Sequence, residues 1–179
     1  VIEKKLHTFT IGGASFVGVL IAPWTIWFAN TTLGTCLDYY IPCIPVLAAF
    51  TIAYSFGEGM GRLACISFGC CYGKPLSRSH SLMQRFFRNN HFMFSGETKK
   101  IAYEGGLNGV KVIPIQAITA VLYITTGIVG ILFFLKSYYI TAFVLTMTVT
   151  QLWRSLSEML RADYRGGGRI SAYQIMAIV

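Results

Sequence analysis

The sequence predicts an all-α fold, a polytopic integral membrane helix bundle. Of the 179 residues, 54% are hydrophobic and only 12% are charged, and the mean hydropathy is +0.57. This composition is typical of membrane proteins and excludes an ordinary soluble domain. The apolar residues also gather in runs long enough to cross a bilayer core, which takes about 20 helical residues. We therefore expect residues 1–179 to form a single transmembrane domain.

Four apolar runs have the length of membrane spans, and a fifth run begins near Ile170. The four runs cover residues 9–30, 39–62, 112–135 and 138–160. Most glycines in and after the first two runs are interpreted as points of close helix packing. Because the sequence starts without Met and stops inside an apolar run, we expect it to belong to a longer protein.

The net charge of +8 is concentrated on one side of this predicted topology. Most of the 15 Lys and Arg residues lie in the N-terminal segment, in residues 74–111 and in residues 161–169. The positive-inside rule would make this side cytoplasmic, although the same charge could bind anionic lipid head groups. Nucleic acid is not favoured as a partner, because the charges lie at membrane entry points and no binding module is recognisable.

Residues 74–111 separate two of the predicted spans and are expected to lie outside the membrane. They contain the aromatic and basic stretch MQRFFRNNHFMF, residues 83–94. This mixture favours either an amphipathic segment in the membrane interface or a solvated lid that contacts a protein partner.

Ionisable side chains inside two of the spans are the first indication of a functional site. In FGEGMGR, Glu58 and Arg62 lie four residues apart and share a helix face. In WRSLSEMLR, Arg154, Glu158 and Arg161 form a second stripe at helical spacing. Charges in a membrane span generally face a polar interior, so we expect the two stripes to face each other. Their guanidiniums would bind a phosphate; the alternative is a pair of structural ion pairs.

The five cysteines are Cys36, Cys43, Cys65, Cys70 and Cys71. They have no C-x-x-C spacing and no histidine close in sequence, so the pattern predicts no metal site. Cys65 and Cys70 follow Arg62 closely, and a guanidinium can make a neighbouring thiol reactive. The alternative is that both are small packing residues.

The stretch GRLACISFGCCYG, residues 61–73, resembles the signature of the prolipoprotein diacylglyceryl transferases, G-R-x-G-N-F-x-N-G-E-x-x-G. Arg62 stands at the arginine of this pattern, and Gly69 and Gly73 stand at two of its glycines. Cys65 replaces the asparagine, and Cys70 replaces the glutamate. The sequence is therefore similar to a divergent, GCCYG-type branch of this family.

Four further stretches resemble motifs of the same family, in the same order. They are GGASFVG (12–18), PIQ (114–116), RSLSEMLRAD (154–163) and SAYQIMAI (171–178). The corresponding family patterns are G-G-x-S-F-H-G-G, P-x-Q-L-Y-E, R-x-x-x-E-x-x-R-x-x-D and S-M-G-Q-I-L-S-I. The resemblance covers nearly the whole chain and implies a seven-span fold, with two spans before Val1.

For function, the resemblance implies transfer of a diacylglyceryl group from phosphatidylglycerol to a thiol acceptor, such as the lipobox cysteine of a prolipoprotein. It implies a multi-pass protein of the bacterial cytoplasmic (inner) membrane, without a cofactor or metal. Arg62 and Arg154 would hold the head-group phosphate, and Glu158 would orient Arg154, so these three residues are the predicted catalytic set. The predicted substrate-binding set comprises Ser15, Glu58, Cys65, Cys70, Gln116 and Arg161.

Departures from the family pattern leave a second function open. Val17 stands where the pattern has a histidine, and Thr119 stands at the glutamate of the P-x-Q motif. Valine cannot accept a proton, so Glu58 would have to substitute as the base. The alternative is a catalytically inactive lipid-binding subunit of a larger membrane assembly.

Two further expectations concern transport and orientation. A transporter or channel is less favoured, because its polar residues would run through several spans. The family places its signature toward the periplasm, in conflict with the positive-inside rule, and we expect the family orientation because long loops contribute little to that rule.

Overall fold

The computed structural model describes residues 11–34 and 38–162, with side chains from Val17 onward. In chain order its elements are α1 (Ile11–Ala29), α2 (Cys43–Phe68), α3 (Ser81–Phe86), β1 (Phe92–Met93), α4 (Lys100–Tyr103), β2 (Lys111–Val112), α5 (Ile115–Leu135) and α6 (Tyr139–Leu160). α1 continues into a π-helical turn, Asn30–Gly34. The apolar run near Ile170 and the motif at residues 171–178 lie outside the described residues.

Three helical segments are long and apolar enough to cross a membrane: Val17–Gly34, Cys43–Phe68 and Ile115–Leu135. α6 has 22 residues, which is also sufficient length, but polar side chains in its second half make it less apolar. α2 continues to Phe68, beyond the predicted end at Arg62. The guanidinium of Arg62 is paired within the helix, so it does not have to mark the membrane surface. These helices confirm the predicted all-α membrane bundle.

α2, α5 and α6 pack into the core of the bundle. Ala48 and Ile52 of α2 and Ala142 of α6 are buried at its centre. Hydroxyl groups link the helices as well: Thr146 Oγ1 donates a hydrogen bond to Thr51 Oγ1 at 2.8 Å. Because lipid offers no water to polar groups, such bonds are made between helices. α1 packs mainly on α2.

The glycines of the first two helices divide into two kinds. A Cβ at Gly59 would lie 3.0 Å from Ile124 Cγ1 of α5, so this glycine allows the expected close packing. Cβ atoms at Gly18, Gly57 and Gly61 would meet no atom of the described residues within 4 Å. Packing between the described residues therefore explains Gly59 but not these three glycines.

Residues 69–114 fold into a small cap over one end of the bundle. β1 and β2 pair antiparallel, with Phe92 opposite Val112. The buried apolar core of the cap consists of Tyr72, Phe94, Ile101 and Val112. The backbone N–H of Lys74 donates to the carbonyl of Leu160 at 2.9 Å, which ties the cap to the last turn of α6. The long segment between spans is thus a packed layer at the end of the bundle.

Candidate functional site

Most of the predicted site residues meet at the capped end of the bundle, which we call the polar end. α2 and α6 finish there, and α5 begins there, because successive long helices run in opposite directions. The predicted residues at this end are Glu58, Arg62, Cys65, Cys70, Gln116, Arg154, Glu158 and Arg161. Ser15 lies in α1, and its side chain is outside the described part of the structure.

On α2, Glu58 and Arg62 form an ion pair. Glu58 Oε2 lies 2.9 Å from Arg62 Nη2, and the two side chains are only 10% and 19% exposed. Arg62 Nε is buried and has no hydrogen-bond partner within the described residues. The guanidinium is therefore oriented by Glu58 and keeps one buried N–H for another acceptor.

On α6, Arg154 reaches across to α2. Its Nη1 donates a hydrogen bond to the hydroxyl of Tyr54 at 2.6 Å, and Tyr54 also interacts electrostatically with Glu58 and Arg62. The two charged stripes consequently face each other, as the sequence predicts. Tyr54 itself is absent from the sequence prediction, although its position four residues before Glu58 places it on the same face of α2.

Glu158 and Arg161 lie deeper under the cap. Glu158 Oε1 is 3.9 Å from Arg161 Nη1, and both side chains are under 10% exposed. Arg161 follows the end of α6 in an extended conformation and forms a β-bridge with Gly73 of the cap. Arg161 thus joins the end of α6 to the turn that follows α2.

Gln116, in the first turn of α5, holds the same turn from the other side. Its Nε2 donates to the backbone carbonyl of Cys70 at 2.9 Å. Its Oε1 is buried without a hydrogen-bond partner among the described residues, and the residue is 1% exposed. This amide is therefore a second group at the polar end with unused hydrogen-bonding capacity.

Three thiols gather where α2 turns into the cap. Sγ atoms of Cys65, Cys70 and Cys71 all lie within 4.8 Å of one another. Gly69 ends α2 in the left-handed conformation, with φ 64°, and Cys71 also has a positive φ of 55°. This double reversal brings Cys70 and Cys71 back over Cys65, and the spacing in the sequence gives no sign of it.

The pKa values of the two thiols in the turn are shifted in opposite directions. Hydrogen bonding from the other two cysteines, assisted by Arg161 and Arg62, lowers the pKa of Cys71. Hydrogen bonding to Cys65 and Cys71 raises the pKa of Cys70. The turn therefore favours one thiolate, on Cys71, beside two arginines.

A largely apolar cavity of about 540 Å³ opens between α1, α2 and α6. Its lining residues are Gly18, Val19, Ile21, Ala22, Thr25, Leu47, Phe50, Thr51, Ala53, Tyr54, Met147, Gln151 and Arg154. Tyr54, Gln151 and Arg154 form its polar end. From Leu47 to Tyr54 it extends roughly 10 Å along α2, so it runs from the charged stripes along the apolar first half of this helix.

Val17, at the position of the histidine in the family pattern, is 49% exposed on α1. The side chain of Thr119, at the glutamate position of the P-x-Q motif, is buried and accepts a hydrogen bond from Trp153 Nε1 at 2.9 Å. Both positions are thus occupied by side chains that supply no ionisable group. The carboxylates that the described structure places beside the arginines of the polar end are Glu58 and Glu158.

Comparison with known protein families agrees with the motifs. No curated protein and no solved structure matches the chain. The family model for prolipoprotein diacylglyceryl transferase matches residues 2–179, which include every motif on which the resemblance rests. With apolar helices long enough to span a bilayer, this multi-pass membrane protein belongs to the prolipoprotein diacylglyceryl transferase family.

Proposed function

We propose that this protein transfers the diacylglyceryl group of phosphatidylglycerol to the thiol of a lipobox cysteine, in the cytoplasmic membrane of a bacterium. The observation that carries the proposal is the pairing of an apolar cavity with a guanidinium at its polar end, Arg154. A phospholipid has the same division into an apolar chain and an anionic head group. Arg62 faces the same polar region from α2.

The chemistry of the reaction suits two arginines. Sulfur displaces the head group from an sp³ carbon of glycerol, and the C–O bond to the phosphate breaks. Negative charge then grows on the departing glycerol phosphate, and donors already aimed at it stabilise the transition state. In our proposal Arg154, held by Tyr54 at 2.6 Å, and the buried Nε of Arg62 bind the phosphate oxygens.

The two carboxylates at the site orient these arginines in our proposal. Glu58 is paired with Arg62 at 2.9 Å, so its charge is already engaged by the guanidinium. This contact favours a positioning role for Glu58 over the role of base. In the proposal Glu158 orients Arg154, and its contact with Arg161 at 3.9 Å extends the basic patch under the cap.

A catalytically inactive lipid-binding subunit is the second candidate function. The observation that favours it is the half-exposed Val17 at the histidine position, because valine can neither accept a proton nor hydrogen-bond a substrate. In this alternative the cavity and arginines hold a phospholipid without turnover. A partner protein present in stoichiometric amount after gentle purification would support it.

The test is a transfer assay with the purified protein in vesicles. Phosphatidylglycerol is supplied with a lipobox peptide, and mass spectrometry measures the diacylglyceryl adduct on the peptide. The proposal predicts an adduct with phosphatidylglycerol and none with phosphatidylcholine or with a peptide in which serine replaces the cysteine. Retained phosphatidylglycerol without any adduct would overturn the transferase proposal and favour the lipid-binding subunit.

A further inference from the structure

The three thiols at the start of the cap have the spacing of a metal site. Cys65 Sγ lies 3.9 Å from Cys71 Sγ, and Cys70 Sγ is within 4.8 Å of both. Tetrahedral zinc has Zn–S bonds of about 2.3 Å, which place neighbouring sulfur ligands about 3.8 Å apart. One pair of sulfur atoms already has this separation, and small side-chain rotations would bring Cys70 to it.

The backbone holds the thiols in this arrangement. Cys71 has a positive φ of 55°. This conformation is unfavourable for residues other than glycine and recurs at functional sites. The amide of Gln116 holds the carbonyl of Cys70, and the N–H of Cys70 donates to the carbonyl of Cys65 at 3.2 Å. The packed cap and α5 therefore maintain a strained turn that points three sulfur atoms at one another.

The surrounding charge suits a thiolate complex of a divalent ion. Three thiolates around Zn²⁺ carry a net charge of −1. Arg62 and Arg161 both interact electrostatically with Cys71, and these two cations would balance such a complex. Soft thiolate ligands select Zn²⁺ over the hard ions Mg²⁺ and Ca²⁺.

We propose that Cys65, Cys70 and Cys71 bind one Zn²⁺ ion and leave its fourth position to the acceptor thiol. Among the described residues, the potential metal ligands grouped here are these three cysteines. Three protein ligands with an open fourth position are typical of catalytic zinc, whereas structural zinc has four. Cys65 and Cys70 occupy the asparagine and glutamate positions of the family signature, so the family pattern itself supplies no such site.

The role of the ion rests on the proposed transferase function. Sulfur attacks carbon as the thiolate, and Val17 cannot remove the thiol proton. A thiol that coordinates zinc loses its proton: the acceptor R–SH displaces zinc-bound hydroxide, which leaves as water. The bound sulfur then forms the C–S bond as the C–O bond to phosphate breaks, and glycerol phosphate carries away the electron pair. The thioether leaves zinc, and a new water binds and releases a proton to solvent.

The first test is elemental analysis of the intact protein, purified in detergent under reducing conditions. We expect about one zinc ion per chain, and loss of that zinc in Cys65→Ser, Cys70→Ser and Cys71→Ser. Cys43→Ser, a change at the far end of α2, serves as the matched control and should retain the metal. Zinc absent from the wild type, zinc retained by all three variants, or a Cys65–Cys71 disulfide in protein kept under reduction would each overturn the proposal.

The second test uses Co²⁺ in place of zinc and does not depend on any variant folding. We expect sulfur-to-cobalt charge-transfer absorption in the wild type, and a change in the visible ligand-field bands when a lipobox peptide is added. A serine-substituted peptide should leave the bands unchanged. Bands that do not respond to the cysteine peptide would overturn the open fourth position.

The two proposals fail in different ways. Transfer that depends on Arg62 in a protein free of metal would overturn the zinc site and leave the transferase function standing. A cysteine-bound metal in a protein that makes no adduct would overturn the transferase function and leave the metal site standing. Preferential binding of copper over zinc would overturn the assignment of the ion.

Discussion

The two halves of the candidate site differ in how closely they follow the family pattern. The α6 half presents Arg154 and Glu158 on a regular helix and Arg161 directly after its end, at the spacing of the family motif. The α2 half keeps Arg62 but replaces two polar signature residues with Cys65 and Cys70, in and after a helix that ends in a strained turn. We infer that the phosphate-binding arginines of both halves follow the family, whereas the thiol-bearing turn after α2 has changed its chemistry.

The largest expected effect tests the half that follows the family. Arg154→Ala removes the guanidinium at the polar end of the cavity, and we expect the transfer rate to fall about 100-fold or more. Arg154→Lys should recover little of the lost transfer rate, because the ammonium of lysine cannot bind phosphate with two parallel hydrogen bonds as a planar guanidinium does. Arg88→Ala, at an exposed position of the cap, is the control. A rate near that of the wild type in Arg154→Ala would contradict the proposed role.

The next prediction concerns the turn that belongs to the changed half. A Cβ at Gly73 would collide with the backbone and side chain of Ile113, so Gly73→Ala should lower the free energy of unfolding by about 1–3 kcal/mol. Gly57→Ala adds a Cβ that would meet no described residue within 4 Å, so it should raise the free energy of unfolding by about 0.5–1 kcal/mol. Unfolding in detergent measures both, and equal stability of the two variants would refute the packing of the turn.

At the contact between the halves we expect a smaller loss of transfer rate than that of Arg154→Ala. Tyr54→Phe removes the hydroxyl that holds Arg154 at 2.6 Å. Hydrogen bonds to charged groups contribute about 1.5–3 kcal/mol, so the transfer rate should fall by about 10-fold or more. Tyr103→Phe, on the exposed surface of the cap, is the matched control and should have no effect. Equal rates in the two variants would show that this contact does not position Arg154.

The smallest expected effect separates a positioning role of Glu58 from the role of base. Glu58→Gln keeps an acceptor for Arg62 Nη2, so a positioning residue should lose less than about 10-fold in transfer rate. Loss of a general base removes about 100-fold or more. Transfer rates at saturating peptide, measured across pH, distinguish the two. A large loss together with a changed pH profile would assign the proton transfer to Glu58.

The sequence predicts a large part of this architecture because hydropathy and helical spacing are local properties. The long apolar runs correspond to long helices, and the spacing of Glu58 and Arg62 predicts their ion pair. The facing of the two stripes follows from the cost of charge in lipid. The sequence does not predict the fold of the cap, because that fold depends on contacts between residues distant in sequence. One example is the N–H of Ile101, which donates to the carbonyl of Gly69 at 3.0 Å.

The thiol cluster shows the limit of spacing arguments most clearly. Metal sites are predicted from regular spacings of their ligands in sequence, such as C-x-x-C. Residues 65, 70 and 71 fit none of those spacings. Their meeting requires left-handed backbone at Gly69 and at Cys71, and only the first of these two positions carries a glycine. Cys71 therefore has no place in the predicted set of site residues.

Native mass spectrometry tests most directly whether Arg62 acts on the lipid phosphate. The protein is incubated with phosphatidylglycerol and a lipobox peptide, for the wild type, Arg62→Ala and Arg88→Ala. We predict bound phosphatidylglycerol and a peptide heavier by one diacylglyceryl group for the wild type and Arg88→Ala, and loss of the peptide adduct for Arg62→Ala. Equal amounts of adduct from Arg62→Ala and the wild type would show that the guanidinium beside Glu58 does not act on the phosphate.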